Sequence, residues 1–197
     1  MTELKDFEKE KKTISLAKAN IYSALLLVPT VIIYLIPFYL LWKEQLSLEA
    51  FNNLFAQFGV TTGLVTGLLF IVVMAVGVVI HELIHGITWA IFAEKGFQSI
   101  KFGVLKEMLT PYCHCREPLK LRPYMLGAIM PGLVMGVLPW LISLLTGSVP
   151  LLVFSIFFTL AAMGDLMIIH LIYQEDKQSY VLDHPSEAGC YVYRPLR

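Results

Sequence analysis

Ile80-His81-Glu82-Leu83-Ile84-His85-Gly86 lies inside a long apolar run. On a helix, His81 and His85 stand four residues apart and project from one face, about 40° from each other at roughly 100° per residue. Both imidazoles can then reach one zinc ion at about 2.0–2.1 Å, with Glu82 beside them as a general base. The surroundings sharpen this reading. Glu82 is the only formal charge between Glu49 and Glu94. Ionisable groups within lipid-embedded helices are costly, so they count as functional-site candidates by default.

The rest of the chain supports a membrane setting. Its 197 residues are 57% hydrophobic and 15% charged, with a mean hydropathy of +0.69. A soluble domain normally carries nearer a quarter charged residues. The composition therefore implies a polytopic membrane protein, one bundle in size, with the lipid bilayer as its surroundings. Net charge is zero, which gives no reason to expect a nucleic-acid partner. Cys113, Cys115 and Cys190 are odd in number and suggest no disulfide framework. The charge-rich first 18 residues do not read as a signal peptide.

Four spans follow from the charge gaps. Residues 1–18, with five Lys and four acids, read as a solvated or interfacial helix. Charge then vanishes for 24 residues from Ala19 to Trp42, enough to cross a ~30 Å hydrocarbon layer, with Pro29 and Pro37 as expected kinks. Lys43 to Phe58 reads as a short amphipathic connection, and a second span as running from about Gly63 to about Phe92. Gly59, Gly63 and Gly67 offer a small-residue strip for close helix packing. The loop from Lys95 to Arg122 contains two short extended segments within 99–116, read as a β-hairpin. Pro123 to Gly164 carries no charge, and Gly147-Ser148-Val149-Pro150 divides it into a third span (about Tyr124 to Thr146) and a fourth (about Leu151 to Tyr173). Gly132 and Gly136 provide a further small-residue contact. Placing both termini in the cytoplasm puts fourteen of the fifteen Lys and Arg inside. The expected fold is thus an all-α membrane bundle: a cytoplasmic segment 1–18, four transmembrane helices over 19–173 with the cytoplasmic hairpin-like loop 95–122, and a cytoplasmic tail 174–197.

A catalytic zinc usually has three protein ligands and an open position. Asp165 is the natural third ligand, being the only charge in the fourth span. His85 lies ten residues before Lys95 and Asp165 ten before Glu175, which sets both about 15 Å from the cytoplasmic boundary at ~1.5 Å per residue. An unpaired Asp at mid-membrane costs about 2.5–3.5 kcal/mol, which coordination would offset. Gly164 beside it would admit a close backbone. His170 stands about 140° round the helix from Asp165 and fits a core or supporting role. His114 sits between Cys113 and Cys115, with no second Cys/His pair to complete a site. His170, His114 and Gly164 are therefore supporting or substrate-side candidates. Asp183-His184-Pro185 reads as a turn.

The motif His81-Glu82-Leu83-Ile84-His85-Gly86, the hairpin-like loop and Gly164-Asp165 in a later span resemble the "putative zincin peptidase" family of small membrane proteins. That family is similar in turn to the site-2 proteases, which are intramembrane zinc metalloproteases. Asp183-His184-Pro185 and Gly189 fit it too, so the resemblance covers roughly residues 65–195. Site-2 proteases carry an Asn-Pro…Asp-Gly pattern around their third ligand; here Ala161-Ala162-Met163-Gly164-Asp165-Leu166 lacks that Asn and Pro. The resemblance implies a multi-pass protein of a bacterial cytoplasmic membrane. It would hold one zinc ion on His81, His85 and Asp165, use Glu82 as base, and act on a membrane protein or peptide substrate. Two other classes share these ligands: a non-catalytic zinc-containing membrane scaffold or regulator, and a divalent-metal transporter. Oligomeric state is not readable from the sequence.

Overall fold

The computed structural model describes residues 6–105, 110–185 and 187–196. In chain order these form β1 (Phe7–Thr13), α1 (Leu16–Trp42), a 3₁₀ turn (Lys43–Leu46), α2 (Leu48–Phe92), a second 3₁₀ turn (Gly96–Ser99), β2 (Ile100–Leu105), β3 (Thr110–Cys115) and β4 (Leu119–Lys120). There follow α3 (Leu121–Pro131), a π-helical segment (Gly132–Val137), α4 (Leu138–Thr146), α5 (Val149–Ala161), α6 (Met163–Ile172), β5 (Tyr180–Asp183) and β6 (Gly189–Pro195). Four helical stretches are long and apolar enough to cross a membrane: Ala24–Leu46, Thr62–Phe92, Leu121–Thr146 and Val149–Ile172. Their outward faces are studded with exposed Leu, Ile and Val, such as Leu40, Leu64, Ile71, Ile91 and Leu145. Surfaces of that kind suit hydrocarbon rather than water.

Every strand falls before α1, between α2 and α3, or after α6, so all of them gather at one end of the bundle. β2 and β3 form the expected hairpin, in register from Ile100↔Cys115 to Leu105↔Thr110. The other four strands build an antiparallel sheet in the order β1-β6-β5-β4. This sheet corrects the all-helical expectation. Residues Phe7–Thr13 are an edge strand paired along their whole length with β6, from Phe7↔Pro195 to Thr13↔Gly189. The tail is likewise structured. The alternating charges of β1 mislead as a helix because their partners lie far along the chain, on β6 and in the segments flanking β5, not one turn away. Lys12 pairs with Glu175, Glu10 with Arg194 and Lys11 with Glu187, while Lys9 Nζ lies 3.7 Å over the Tyr191 ring. A Lys-rich outer strand also blunts edge-to-edge association.

The helices depart from expectation at two further places. The amphipathic connection shrinks to the turn at Lys43–Leu46, and α2 runs unbroken for 45 residues. The fourth span breaks at Ala162, whose ψ of 0° separates α5 from α6. Packing at the glycines is uneven. A Cβ added at Gly136 would meet Thr159 Oγ1 at 2.3 Å, and at Gly132 Ala162 Cβ at 3.2 Å, so this pair does bring helices together. At Gly67 an added Cβ would meet nothing within 4 Å. Among the described residues, that end of the expected strip is not a packing surface.

Candidate metal centre

His81 and His85 lie on one face of α2, as the four-residue spacing requires, and both are buried. Asp165 reaches them from α6. His81 Nε2 stands 3.2 Å from Asp165 Oδ2, and His85 Nε2 stands 3.3 Å from Asp165 Oδ1. One ligand atom from each residue can be chosen so that all three lie within 4.8 Å of one another. His85 and Asp165 each stand seven residues before the end of their helix, at Phe92 and Ile172, or about 10 Å at ~1.5 Å per residue. The matched depth inferred from the charge gaps is therefore present, slightly nearer the helix ends than expected.

The break at Ala162 positions the carboxylate. It makes Asp165 a first-turn residue of α6, where the unpaired N–H groups and the positive end of the helix dipole favour a negative charge. Gly164 contributes no close approach: a Cβ there would meet nothing within 4 Å. Gly77, one turn before His81, does. A Cβ there would fall 2.4 Å from Phe158 Cζ, and that ring lies 6.5 Å from the His81 ring at 27°.

His85 is held by a device the motif does not reveal. Its Nδ1 donates to the Gly127 carbonyl at 2.8 Å. In a regular helix that carbonyl would accept the N–H of residue 131, but residue 131 is proline and has none. Pro131 thus leaves the Gly127 oxygen free for the imidazole, and the hydrogen bond leaves Nε2 as the lone-pair nitrogen facing Asp165. Orientation of a ligand histidine by a backbone carbonyl on its other nitrogen is the usual supporting arrangement. The ring is fixed from above as well. Trp89 stacks on His85 (5.1 Å, 14°), and Tyr124 stacks on Trp89 (5.4 Å, 20°). Trp89 Nε1 donates to the Tyr124 carbonyl at 3.0 Å. The Tyr124 hydroxyl donates to Asp183 Oδ1 at 2.5 Å, and the Cys115 N–H donates to Asp183 Oδ2 at 2.7 Å. Asp183, read from sequence as part of a turn, ends β5 and ties the tail to α3 and to the hairpin. Burial pushes its carboxyl up to about 6, although both hydrogen bonds oppose that rise.

The hairpin lies across the motif. A Cβ on Gly86 would meet Phe102 Cζ at 2.5 Å and Ile100 Cγ2 at 3.1 Å, so glycine after His85 lets β2 settle on α2. β3 packs against α2 as well. The other histidines stand apart from the cluster. His114 packs on Tyr112 (ring centroids 4.5 Å) on β3, and burial with Lys101 opposite holds its pKa below the usual range. His170 stacks on Tyr173 and lines an apolar groove of about 780 Å³ between α1 and α6. The three cysteines are buried free thiols. Burial pushes Cys115 up to about 11 and Cys190 up to about 12, which leaves them inert as thiolates at neutral pH.

The donor set fits zinc. Donors about 2.0–2.1 Å from a tetrahedral ion lie about 3.3 Å apart, which is the separation of each imidazole nitrogen from the carboxylate. His81 Nδ1 is buried without a hydrogen-bond partner among the described residues. The ring's one hydrogen-bonding contact among those residues runs through Nε2 to Asp165, the same nitrogen that a cation between the two side chains would meet.

A helical protein with four membrane-length apolar helices and a His-His-Asp cluster built on HExxH is thus defined by fold and site together. The "putative zincin peptidase" family matches residues 74–180, more than half of the chain, and the chain belongs to that family. The matched region spans the motif, the hairpin, Gly127, Pro131 and Asp165, and its membership implies zinc and a metallopeptidase. No curated protein and no solved structure matches the chain.

Proposed function

We propose that this protein is an integral membrane zinc metallopeptidase that hydrolyses peptide bonds within or beside the bilayer, in the manner of the site-2 proteases. The observation that carries the reading is the convergence of His81, His85 and Asp165 from two apolar helices, with Glu82 on the same helix as the histidines. The strands and the Lys- and Arg-rich segments share one end of the bundle, which is assigned to the cytoplasm by the excess of positive charge.

His81 Nε2, His85 Nε2 and an oxygen of Asp165 would hold the ion. Zinc bound there would supply Lewis acidity towards a carbonyl and lower the pKa of a water towards ~7. The chain's own residues do the rest. Glu82 takes the proton of the attacking water on its carboxylate and returns it to the leaving amine. The Gly127 carbonyl keeps the His85 proton on Nδ1, so Nε2 would keep its lone pair for the ion. A transmembrane substrate hides its peptide bonds in its own helix and must unwind before attack. The outer edge of β2, whose only strand partner among the described residues is β3, offers main-chain groups to such an unwound segment.

The test is cleavage of a membrane-protein reporter by purified protein in proteoliposomes, with Glu82→Gln beside wild type. Loss of cleavage in Glu82→Gln with zinc content retained supports the reading. Undiminished biological activity of Glu82→Gln would point to a scaffold, and ion flux abolished by Asp165→Ala to a transporter.

A further inference from the structure

A second cavity, of about 700 Å³, opens at the strand-bearing end, away from the His-His-Asp cluster. It lies where α2 ends at Phe92 and α3 begins at Leu121. Three cationic side chains line it: Lys95, Arg116 and Lys120. All three are exposed, and no ion pair among the described residues engages them. Glu94 and Glu117 line it too, and Glu117 faces the Lys95 backbone N–H at 3.4 Å. Cations therefore outnumber carboxylates three to two.

A buried polar group points the same way. Ser99, on the cavity wall, is only 2% exposed, and its Oγ has no hydrogen-bond partner among the described residues. A buried hydroxyl left unpaired is costly, and an acceptor entering the cavity would offset that cost. Lys120 and Pro123, at the first turn of α3, line the cavity as well, and the Leu121 N–H there is already donated to the Ser179 carbonyl at 3.0 Å.

We propose that this cavity binds a phosphate-bearing anion. Ser99 Oγ would donate to a phosphate oxygen, and Lys95, Arg116 and Lys120 would neutralise its charge. The cavity sits where two membrane-length helices leave their apolar stretch, which is the headgroup level under the membrane reading above. Basic pockets between helices at that level hold anionic lipid headgroups. The phosphate of an anionic phospholipid is thus the favoured source, and free phosphate is the other source of the same chemistry. An occupant would bridge the end of the α2 helix bearing the HExxH motif, the start of α3 and the β5–β6 sheet.

The experiment measures thermal unfolding of the full-length, detergent-purified protein. It is titrated separately with short-chain phosphatidylglycerol, short-chain phosphatidylcholine and inorganic phosphate. A saturable rise in Tm with phosphatidylglycerol and little with phosphatidylcholine is expected. Arg116→Gln and Lys120→Gln should each weaken the half-saturating concentration about fivefold, as removing one cation near a headgroup does. Lys101→Gln, on the hairpin outside the cavity, should leave it unchanged. Ser99→Ala is the variant least apt to disturb folding and should weaken it as well. A comparable response to inorganic phosphate would support the site and assign its source to a soluble anion. Equal responses to the two lipids, or a response untouched in Ser99→Ala, Arg116→Gln and Lys120→Gln alike, would overturn the proposal. None of these readouts involves zinc or peptide cleavage, so the site and the peptidase reading can fail separately.

Discussion

Replacing Gly127 by alanine should damage the metal centre from a residue that never touches the metal. The added Cβ would lie 2.0 Å from Trp89 Nε1 and 2.1 Å from Trp89 Cδ1. Trp89 cannot swing aside, because it is buried, stacked between His85 and Tyr124, and hydrogen-bonded to the Tyr124 carbonyl. Overpacking of this kind costs about 1–3 kcal/mol, and loss of the indole hydrogen bond about 0.5–1.5 kcal/mol more. A destabilisation of about 1.5–4.5 kcal/mol is expected. The displaced indole presses on the His85 ring, and the Gly127 carbonyl moves with its Cα, so His85 loses its orientation. Disturbing such a supporting partner lowers metal affinity about 10–100-fold. Zinc affinity is read by competition against a chromophoric chelator, and stability by thermal unfolding of the same samples. Gly67→Ala is the control. Its Cβ meets nothing within 4 Å, and it should be neutral or stabilising by up to about 1 kcal/mol from helix propensity. Wild-type zinc affinity in Gly127→Ala would refute the reasoning that the Gly127–Trp89–His85 contact sets the ligand.

Further outcomes follow from neighbouring features. Pro131→Ala restores an N–H that competes for the Gly127 oxygen; the helix should gain stability while zinc affinity falls by up to about tenfold, and unchanged affinity in the same chelator assay would make the proline incidental. Asp183 sits at about 6 in the folded protein, above its free value of ~3.9. The folded state therefore holds a proton that the unfolded chain releases first, and Asp183's contribution to stability is lost as pH rises from about 4 through about 6. Unfolding measured across this window should show a slope totalling up to about 3 kcal/mol that Asp183→Asn removes. Glu175 behaves oppositely: Arg194 donates to it twice, at 2.6 and 2.8 Å, and Lys12 joins them, holding its carboxyl down at about 2. Its contribution is present above the ordinary glutamate range and is lost as pH falls through about 2, so Glu175→Gln should flatten the acid limb of the unfolding profile.

The sequence carried the site further than the fold. The HExxH spacing fixes two imidazoles on one helical face, and the lone charge in the fourth span singles out Asp165. Helix periodicity and charge gaps suffice for both. The hairpin was legible from its extended segments, and the spans from their length. The sheet was hidden because its stabilising pairs join residues as distant as Lys12 and Glu175 or Glu10 and Arg194. The break at Ala162 has no proline to announce it; Gly164 is the only nearby mark. The supports of His85 were missed for a related reason. Trp89 stands one turn beyond His85 on the same face, and Gly127 precedes Pro131 by the four residues that free its carbonyl. Neither spacing acquires meaning until α2 and α3 are known to be neighbours. Asp183 is more distant still, and only β5 brings it beneath Tyr124.

The central claim is that α2 and α6 close around one cation. Metal analysis of purified wild type beside Glu82→Gln, His85→Ala and Asp165→Ala tests it most directly. About one zinc per chain is expected in wild type and in Glu82→Gln, whose carboxylate is not a ligand, and little in the other two. Full zinc content in Asp165→Ala would contradict the account.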